Sequence, residues 1–481
     1  MQYIIGLDLG TTCVKALLCD ESGRIQSVAS EDDVLLMPRQ SWVEQSAERW
    51  VELSGKVIRE AVAKAEINTN EVAALAISSQ GITSVPVDQT LKPLRKAISW
   101  LDQRAVEEIE HVRSVKNDDE IYHITGKSLA PGYTLPSILW LKNHEPEIFI
   151  RTFKFLLPHD FLCARFSGVP VTDHTMAGGT MLYDVPNQCW SEELLNLFEI
   201  DGRLLPEIQW AGIPVNTLTR EASQFLGLPE STLVITGGQD QKIAAYGASL
   251  QTGSATISLG TCAAMEFLFD RPPLHPTRGL AAFSYLKPGS WVLEACINTA
   301  GAAINWARDT LFPDLNYDGI NKLAEQCKTS GGVHFYPYLQ GSGTPHNSVA
   351  RGAFTGLTLN TAKPELARAI FEGIAMEVLT NLHSAEDAGV NVGEICIFGG
   401  GSQSALLNQM LADVTHRAVQ TFTTSEMASF GAAKLAAKAM GMKDFTLPVG
   451  AFWKPEAEQS SRYDEQYRRY QENHRLILEL R

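Results

Sequence analysis

Apolar and polar positions along the first thirty residues follow a strand–turn–strand pattern. Tyr3 to Leu7 is apolar and β-branched, Gly10-Thr11-Thr12 supplies a turn, and Val14 to Cys19 runs apolar again. Glu21-Ser22-Gly23 turns the chain once more before Ile25 to Ala29, which predicts a meander of antiparallel strands. From Ala47 to Ala65 the period changes, with Trp50, Leu53, Val57, Ala61 and Ala65 at helical spacing. Val72 to Ser78 is nearly all apolar, as expected of a strand buried on both faces. This β-β-β-α-β order is not the strict alternation of a dinucleotide fold.

The opening pattern recurs about 250 residues later. Ala255 to Cys262 repeats the Leu-Gly-Thr core of residues 9–11 at 259–261, and Met265 to Phe269 takes the place of the second strand. The two copies differ at one chemical position, Asp8 against Ser258. An internal duplication into two similar lobes accounts for this. Further strands are predicted near Ala281 to Tyr285, Trp291 to Cys296 and Glu394 to Phe398. Helices are predicted over Ala300 to Leu311, Pro364 to Ala388 and Ser402 to Thr415, with an amphipathic tail over Glu456 to Arg481. The polar turn bracketed by Gly247 and Gly253 divides an N-terminal lobe, 1–248, from a C-terminal lobe, 249–481. Residues 115–230 read as structure inserted into the first lobe.

Length supports the division, because 481 residues exceed the roughly 250–300 that one core accommodates. The net charge of −15 argues against a nucleic-acid or anionic-membrane surface, so bound phosphate must rely on backbone amides, local charges or a metal ion. The start lacks a basic n-region and reaches Asp8 early, unlike a signal peptide. No apolar run approaches the ~20 residues that span a bilayer. The eight cysteines are dispersed without CxxC or zinc spacing and read as reduced thiols of a cytoplasmic protein.

Three segments carry candidate chemistry. Asp8 ends an apolar strand beside the Gly10-Thr11-Thr12 turn, whose amides and hydroxyls can approach phosphate oxygens. Its carboxylate suits a water-coordinated Mg²⁺ carried by a nucleotide, or else caps the turn. Gly237-Gly238-Gln239-Asp240-Gln241 follows the strand Thr232 to Thr236 and precedes a helix, Lys242 to Ala248. Asp240 can accept a proton from a hydroxyl nucleophile there, or serve as an N-cap. Gly399-Gly400-Gly401-Ser402 forms a platform free of Cβ atoms, or an ordinary strand–helix turn. Gly126-Lys127-Ser128 resembles the end of a P-loop, but Ile121 stands where its first glycine belongs. His346 is a lone loop histidine, either a base or a structural residue.

Taken together and in order, these motifs resemble the FGGY carbohydrate kinases from end to end. Asp8-Leu9-Gly10-Thr11-Thr12 is similar to the family's first phosphate loop, Gly238-Gln239-Asp240-Gln241 to its catalytic segment, and Ser258-Leu259-Gly260-Thr261 to its second phosphate loop. Thr299 to Trp306, Arg351 to Leu357, and Gly399 to Ser402 with Gln409 to Asp413 resemble its later patterns. The resemblance implies an α/β fold of two actin-like, ribonuclease H-like lobes around a central cleft, the first binding sugar and the second nucleotide. It implies ATP, Mg²⁺ and a small sugar or polyol as ligands, with a homodimer as a candidate assembly.

By carry-over, Asp240 is the general base and Asp8 supports the metal. Thr11, Thr12, Gly260 and Thr261 hold phosphates, while Gly301, Asn305, Gly400, Gly401 and Ser404 border the nucleotide. Gln80, Gly81, Ile82, Trp100, Asp240 and Gln241 face the sugar. Xylulokinase-like members look nearest at Thr344-Pro345-His346-Asn347 and Leu156 to Asp160. Their substrate segment reads Gln-Met-His-Gly, where this chain has Gln80-Gly81-Ile82-Thr83, and glycerol kinases carry Arg-Glu at the two middle positions. Xylulose, another ketose or a polyol therefore stay open as acceptors. An actin-like ATPase clamp and a non-catalytic sugar sensor are the contrasting classes.

Overall fold

The computed structural model describes residues 2–272 and 279–479, so Leu480 and Arg481 of the predicted tail lie outside the described residues. The opening meander forms as its alternation predicts. Tyr3–Leu9 pairs antiparallel with Cys13–Asp20, which pairs antiparallel with Ile25–Asp32. On its other side Tyr3–Leu9 runs parallel to Val72–Ser79, which runs parallel to Leu233–Gln239. The short strand Pro214–Thr217 completes a six-stranded sheet. Residues 80–232 thus lie between two neighbouring strands, and this long excursion carries the inserted structure.

The second sheet repeats the topology. Ser254–Leu259 pairs antiparallel with Ala263–Phe269, which pairs antiparallel with Trp291–Ile297. Ser254–Leu259 also runs parallel to Glu394–Phe398, and that strand parallel to Ala418–Phe422. Ala281–Ser284 and Val449–Trp453 extend the two edges. Two lobes, each with three antiparallel strands and then two parallel ones, make the actin-like, ribonuclease H-like α/β architecture that the duplication predicts.

Three elements depart from the sequence expectations. The strand taken to end at Thr236 continues through Gly237-Gly238 to Gln239, and the helix starts at Asp240. Glycine there serves close packing within a strand: a Cβ at Gly237 would lie 1.8 Å from the Ile77 carbonyl oxygen, and one at Gly238 2.4 Å from Thr175 Oγ1. After Gly399 the chain makes a 3-10 turn, Gly400–Gln403, before the α-helix Ala405–Thr415 begins. The third strand reaches Asp32 because its partner residues start at Cys13.

The lobes are interlocked. Helix Met427–Ala439 belongs to the second half of the chain but packs on the first sheet, where Ile4, Leu17, Ala74 and Ile235 meet Phe430, Ala433 and Ala436. Gly6 permits this approach, since a Cβ there would sit 1.8 Å from the Ser429 carbonyl oxygen. The excursion from the first half is in turn stitched to the second sheet. The Ala282 amide donates to the Gly126 carbonyl at 2.9 Å, Tyr122 Oη to the Leu280 carbonyl at 2.6 Å, and Trp291 Nε1 to the Val185 carbonyl at 2.8 Å.

Candidate active site

The ends of the first strands of both lobes face one cleft. A cavity of about 150 Å³ there is lined by Asp8, Lys15, Asp240 and Gln241 from the first half, and by Ser258, Phe398, Gly399 and Glu426 from the second. Asp8 ends its strand opposite Lys15 and beside Ser78, whose Oγ donates to Asp8 Oδ1 at 2.9 Å. Burial pushes the Asp8 carboxyl up to about 6 against the pull of that hydrogen bond.

Asp240 opens the helix Asp240–Gly247, so its carboxyl lies at the positive end of the helix dipole. Gln239 Nε2 donates to Asp240 Oδ1 at 2.6 Å, and the Gln241 amide donates to the same oxygen at 2.8 Å. Oδ2 has no protein donor among the described residues, which leaves it available to a ligand. Burial and then the charge of Asp8 push the Asp240 carboxyl up to about 7. The residue is therefore poised to exchange a proton near neutral pH. The N-cap reading of Asp240 gives way here, because the Gln239 side chain caps the helix by accepting from the Lys242 amide.

Two Gly-Thr turns flank the carboxylates. The Gly10 amide donates to the Cys13 carbonyl at 3.0 Å, and Thr11 and Thr12 project from the turn, with Thr12 exposed. In the second lobe the Gly260 amide donates to the Cys262 carbonyl at 2.9 Å, and Thr261 is exposed. This turn is fastened to the helix Gly301–Thr310: the Gly301 amide donates to the Gly260 carbonyl, and the Ala300 and Ala302 amides to the Thr261 carbonyl, each at 3.0 Å. Gly301 is required at that contact, since a Cβ would lie 2.5 Å from the Gly260 oxygen. Asn305, one turn along, is exposed. Gly400 is open, with nothing within 4 Å of a Cβ added there. Gly401 and Ser404 sit behind this wall. Gly401 packs on Leu259, and Ser404 caps the helix Ala405–Thr415 while donating to Asn321 Oδ1 at 2.5 Å.

The residues expected on the sugar side connect to the first turn. Trp100 Nε1 donates to Thr11 Oγ1 at 3.1 Å. Gln80 Nε2 donates to Gln45 Oε1 at 3.1 Å, and Gln45 Nε2 to the Thr11 carbonyl at 2.9 Å. Gln80 Oε1 is buried and has no partner. Gly81 lies against Gln239, and Ile82 adopts φ +51°, a left-handed conformation costly for a β-branched residue. His346 is not among the residues lining the cavity.

Sequence reasoning missed the charged groups that surround the two aspartates. Lys15 Nζ pairs with Glu426 Oε2 at 2.7 Å across the lobes. Lys242, fully buried, pairs with Glu266 at 3.0 Å and Glu294 at 2.5 Å, again across the lobes. The available signal was a charge interrupting otherwise apolar strands at Lys15, Glu266 and Glu294. Nothing local pairs these residues. Among the described residues no cluster of three or more His, Cys, Asp or Glu side chains forms a protein-only metal cage.

Residues 3–247 match the N-terminal domain of the FGGY family of carbohydrate kinases, and residues 255–440 its C-terminal domain. A xylulose kinase of Klebsiella pneumoniae is 31% identical over 436 residues, covering 90% of this chain and 89% of that one. A glycerol kinase of Thermococcus kodakarensis is 28% identical, covering 97% and 94%. The crystal structure of a gluconate kinase from Lactobacillus acidophilus superposes with a TM-score of 0.94 at 25% identity, covering 99% and 98%.

Proposed function

The chain belongs to the FGGY family of carbohydrate kinases, and from that premise we propose that Asp240 is the general base by which it phosphorylates a small neutral sugar or polyol with MgATP. The observation that carries this reading is the Asp240 carboxyl, raised to about 7 and presented with Asp8 between two Gly-Thr turns. Phosphoryl transfer asks the protein mainly for positioning and charge neutralisation. Gln239 and Gln241 fix Asp240 Oδ1, so Oδ2 takes the proton of the acceptor hydroxyl as its oxygen attacks the γ-phosphorus and ADP leaves. Thr11, Thr12, Gly260 and Thr261 hold phosphate oxygens. Gly301, Asn305 and Gly400 border the nucleotide, with Gly401 and Ser404 shaping that wall from behind.

The paired carboxylates fit a hard, oxygen-seeking ion. Asp8, with Asp240 beside it, would hold Mg²⁺ that keeps most of its coordination to water and phosphate and neutralises phosphate charge. Gln80, Gly81, Ile82, Trp100 and Gln241 contact the acceptor, for which xylulose or another ketose is the first choice and glycerol or another polyol the second. All eight cysteines are free thiols and no helix among the described residues is long and apolar enough to cross a membrane; we place the reaction in the cytoplasm, where ATP is abundant.

An ADP-release assay over pentuloses, hexuloses, tetroses, glycerol and aldonates tests the reading. Turnover that depends on one acceptor class supports it. ATP hydrolysis indifferent to every acceptor instead indicates an ATPase clamp.

A further inference from the structure

The kinase reading leaves a buried charge cluster unused. Lys242 lies two residues after Asp240, and its ammonium is sealed between Glu266 and Glu294 of the other lobe. Those two glutamates stand directly opposite each other on paired strands, an arrangement that costs energy without a cation between them. A second sealed cation, Lys127, donates to the carbonyls of Thr125 and Ala282 and lies over the Phe283 ring, 3.5 Å from its centroid. Lys242 lies 3.6 Å from the same centroid.

The members of this cluster differ in access. Lys242 is 0% exposed and Glu266 2%, but 20% of the Glu294 side chain is accessible. Strand alternation explains why. Leu293, Ala295 and Ile297 enter the second lobe's core, so Glu294, Cys296 and Asn298 point from the opposite face. Glu294 lies three register positions beyond Ala263, the first strand residue after the Gly260-Thr261 turn. That distance, about 10 Å along the sheet, is deeper in the cleft than the phosphates. Burial alone would push the Glu294 carboxyl up, but Lys242 and a hydrogen bond shared with Glu266 hold it below its ordinary value. Burial raises Glu266 well above its own. Glu266 thus carries the shared proton and Glu294 the charge.

An ionised carboxylate is an acceptor only. The other free atoms on this side are also acceptors, namely the orphaned Gln80 Oε1 and Asp240 Oδ2. The nearby cations are taken: Lys127 and Lys242 are sealed, and Lys15 is held by Glu426. Such a site accepts hydrogen bonds from hydroxyls and repels a carboxylate. Resting on the kinase reading above, we infer that Glu294 is a specificity-determining residue that takes a hydrogen bond from a hydroxyl of a neutral acceptor and disfavours aldonates.

Two measurements test this. Calorimetric titration of the wild-type protein without ATP, using the panel of neutral sugars and polyols and gluconate as the aldonate, reads preference directly. A neutral acceptor binding at least tenfold tighter than gluconate is expected, and preference for gluconate overturns the inference whatever any variant does. The second compares Glu294→Gln with the double variant Lys242→Met/Glu294→Gln, which removes both charges together; thermal melting identifies which of them is folded. The folded variant should bind the neutral acceptor about 10–100-fold more weakly, the range for losing a charge-assisted hydrogen bond, with KM for ATP within about twofold of wild type and reduced discrimination against gluconate. Unchanged acceptor affinity and unchanged discrimination overturn the role of Glu294 while acceptor-dependent turnover leaves the kinase reading intact. Neutral-acceptor binding without acceptor-dependent turnover defeats the kinase reading instead, and absence of acceptor binding overturns both.

Discussion

Replacing Asp240 with Asn separates catalysis from stability in opposite directions. Asn keeps a carbonyl oxygen for the donors Gln239 Nε2 and the Gln241 amide, so the local hydrogen bonds persist while the proton acceptor disappears. Loss of a general base lowers turnover by roughly 10²–10⁴-fold. The structure adds an energetic term. A carboxyl carried from 3.8 to about 7 by burial and the charge of Asp8 holds its proton more tightly in the folded chain than in the unfolded one. The folded state therefore binds more protons between these values, and stability falls as pH rises through that window. The full span corresponds to roughly 4 kcal/mol at 1.36 kcal/mol per pH unit, present below about 4 and lost above about 7. Asp240→Asn removes this penalty but still buries an amide, so a net gain of about 1–3 kcal/mol is expected at pH 8, shrinking toward zero as pH falls toward 4. Urea unfolding at pH 5, 6.5 and 8 measures it, alongside ADP release with the best acceptor. Wild-type kcat/KM should decline about tenfold per pH unit below about 7, while the variant's residual rate stays flat. Near-wild-type turnover, or a variant less stable than wild type at pH 8, refutes the reasoning.

Other substitutions probe separate parts of the design. Gly6→Ala drives a Cβ into the Ser429 carbonyl and should lower unfolding stability by about 1–3 kcal/mol, visible as an earlier melt. Ile82→Gly relieves a left-handed φ of +51° and should raise the melting midpoint by the equivalent of about 1 kcal/mol, unless packing of the isoleucine against Gly179 outweighs the strain, in which case the midpoint falls. Thr261→Ala should raise KM for ATP about tenfold and leave acceptor affinity in the absence of ATP unchanged, as initial-rate kinetics and calorimetry would report.

The lobe duplication, the Gly-Thr turns and the strand-end aspartates were legible because each is a short-range signal. A turn demands glycine, a buried strand demands a run of apolar residues, and a carboxylate beside such a turn stands out. The same signals misplaced one boundary. Gly237-Gly238 reads as a turn locally, yet the glycines serve the approach of Ile77 and Thr175 from segments 160 and 62 residues away in sequence. Gln80 and Trp100 were anticipated on the sugar side, but their connection through Gln45 and Thr11 to the phosphate turn emerges only once the sheet brings residues 11, 45, 80 and 100 together.

By itself, then, the sequence determined two related lobes, two phosphate-suited turns and two aspartates able to serve them, since those properties depend on neighbours within a few positions. Only the tertiary structure decided the charge around them. Whether Lys15, Lys242, Glu266, Glu294 and Glu426 are solvated or sealed, paired or free, depends on strand register and on which lobe lies opposite. Electrostatic effects of burial arise from atoms distant along the chain, so no local pattern encodes them. The base at Asp240 owes its neutral-range carboxyl to that burial and to Asp8, 232 positions earlier in the chain.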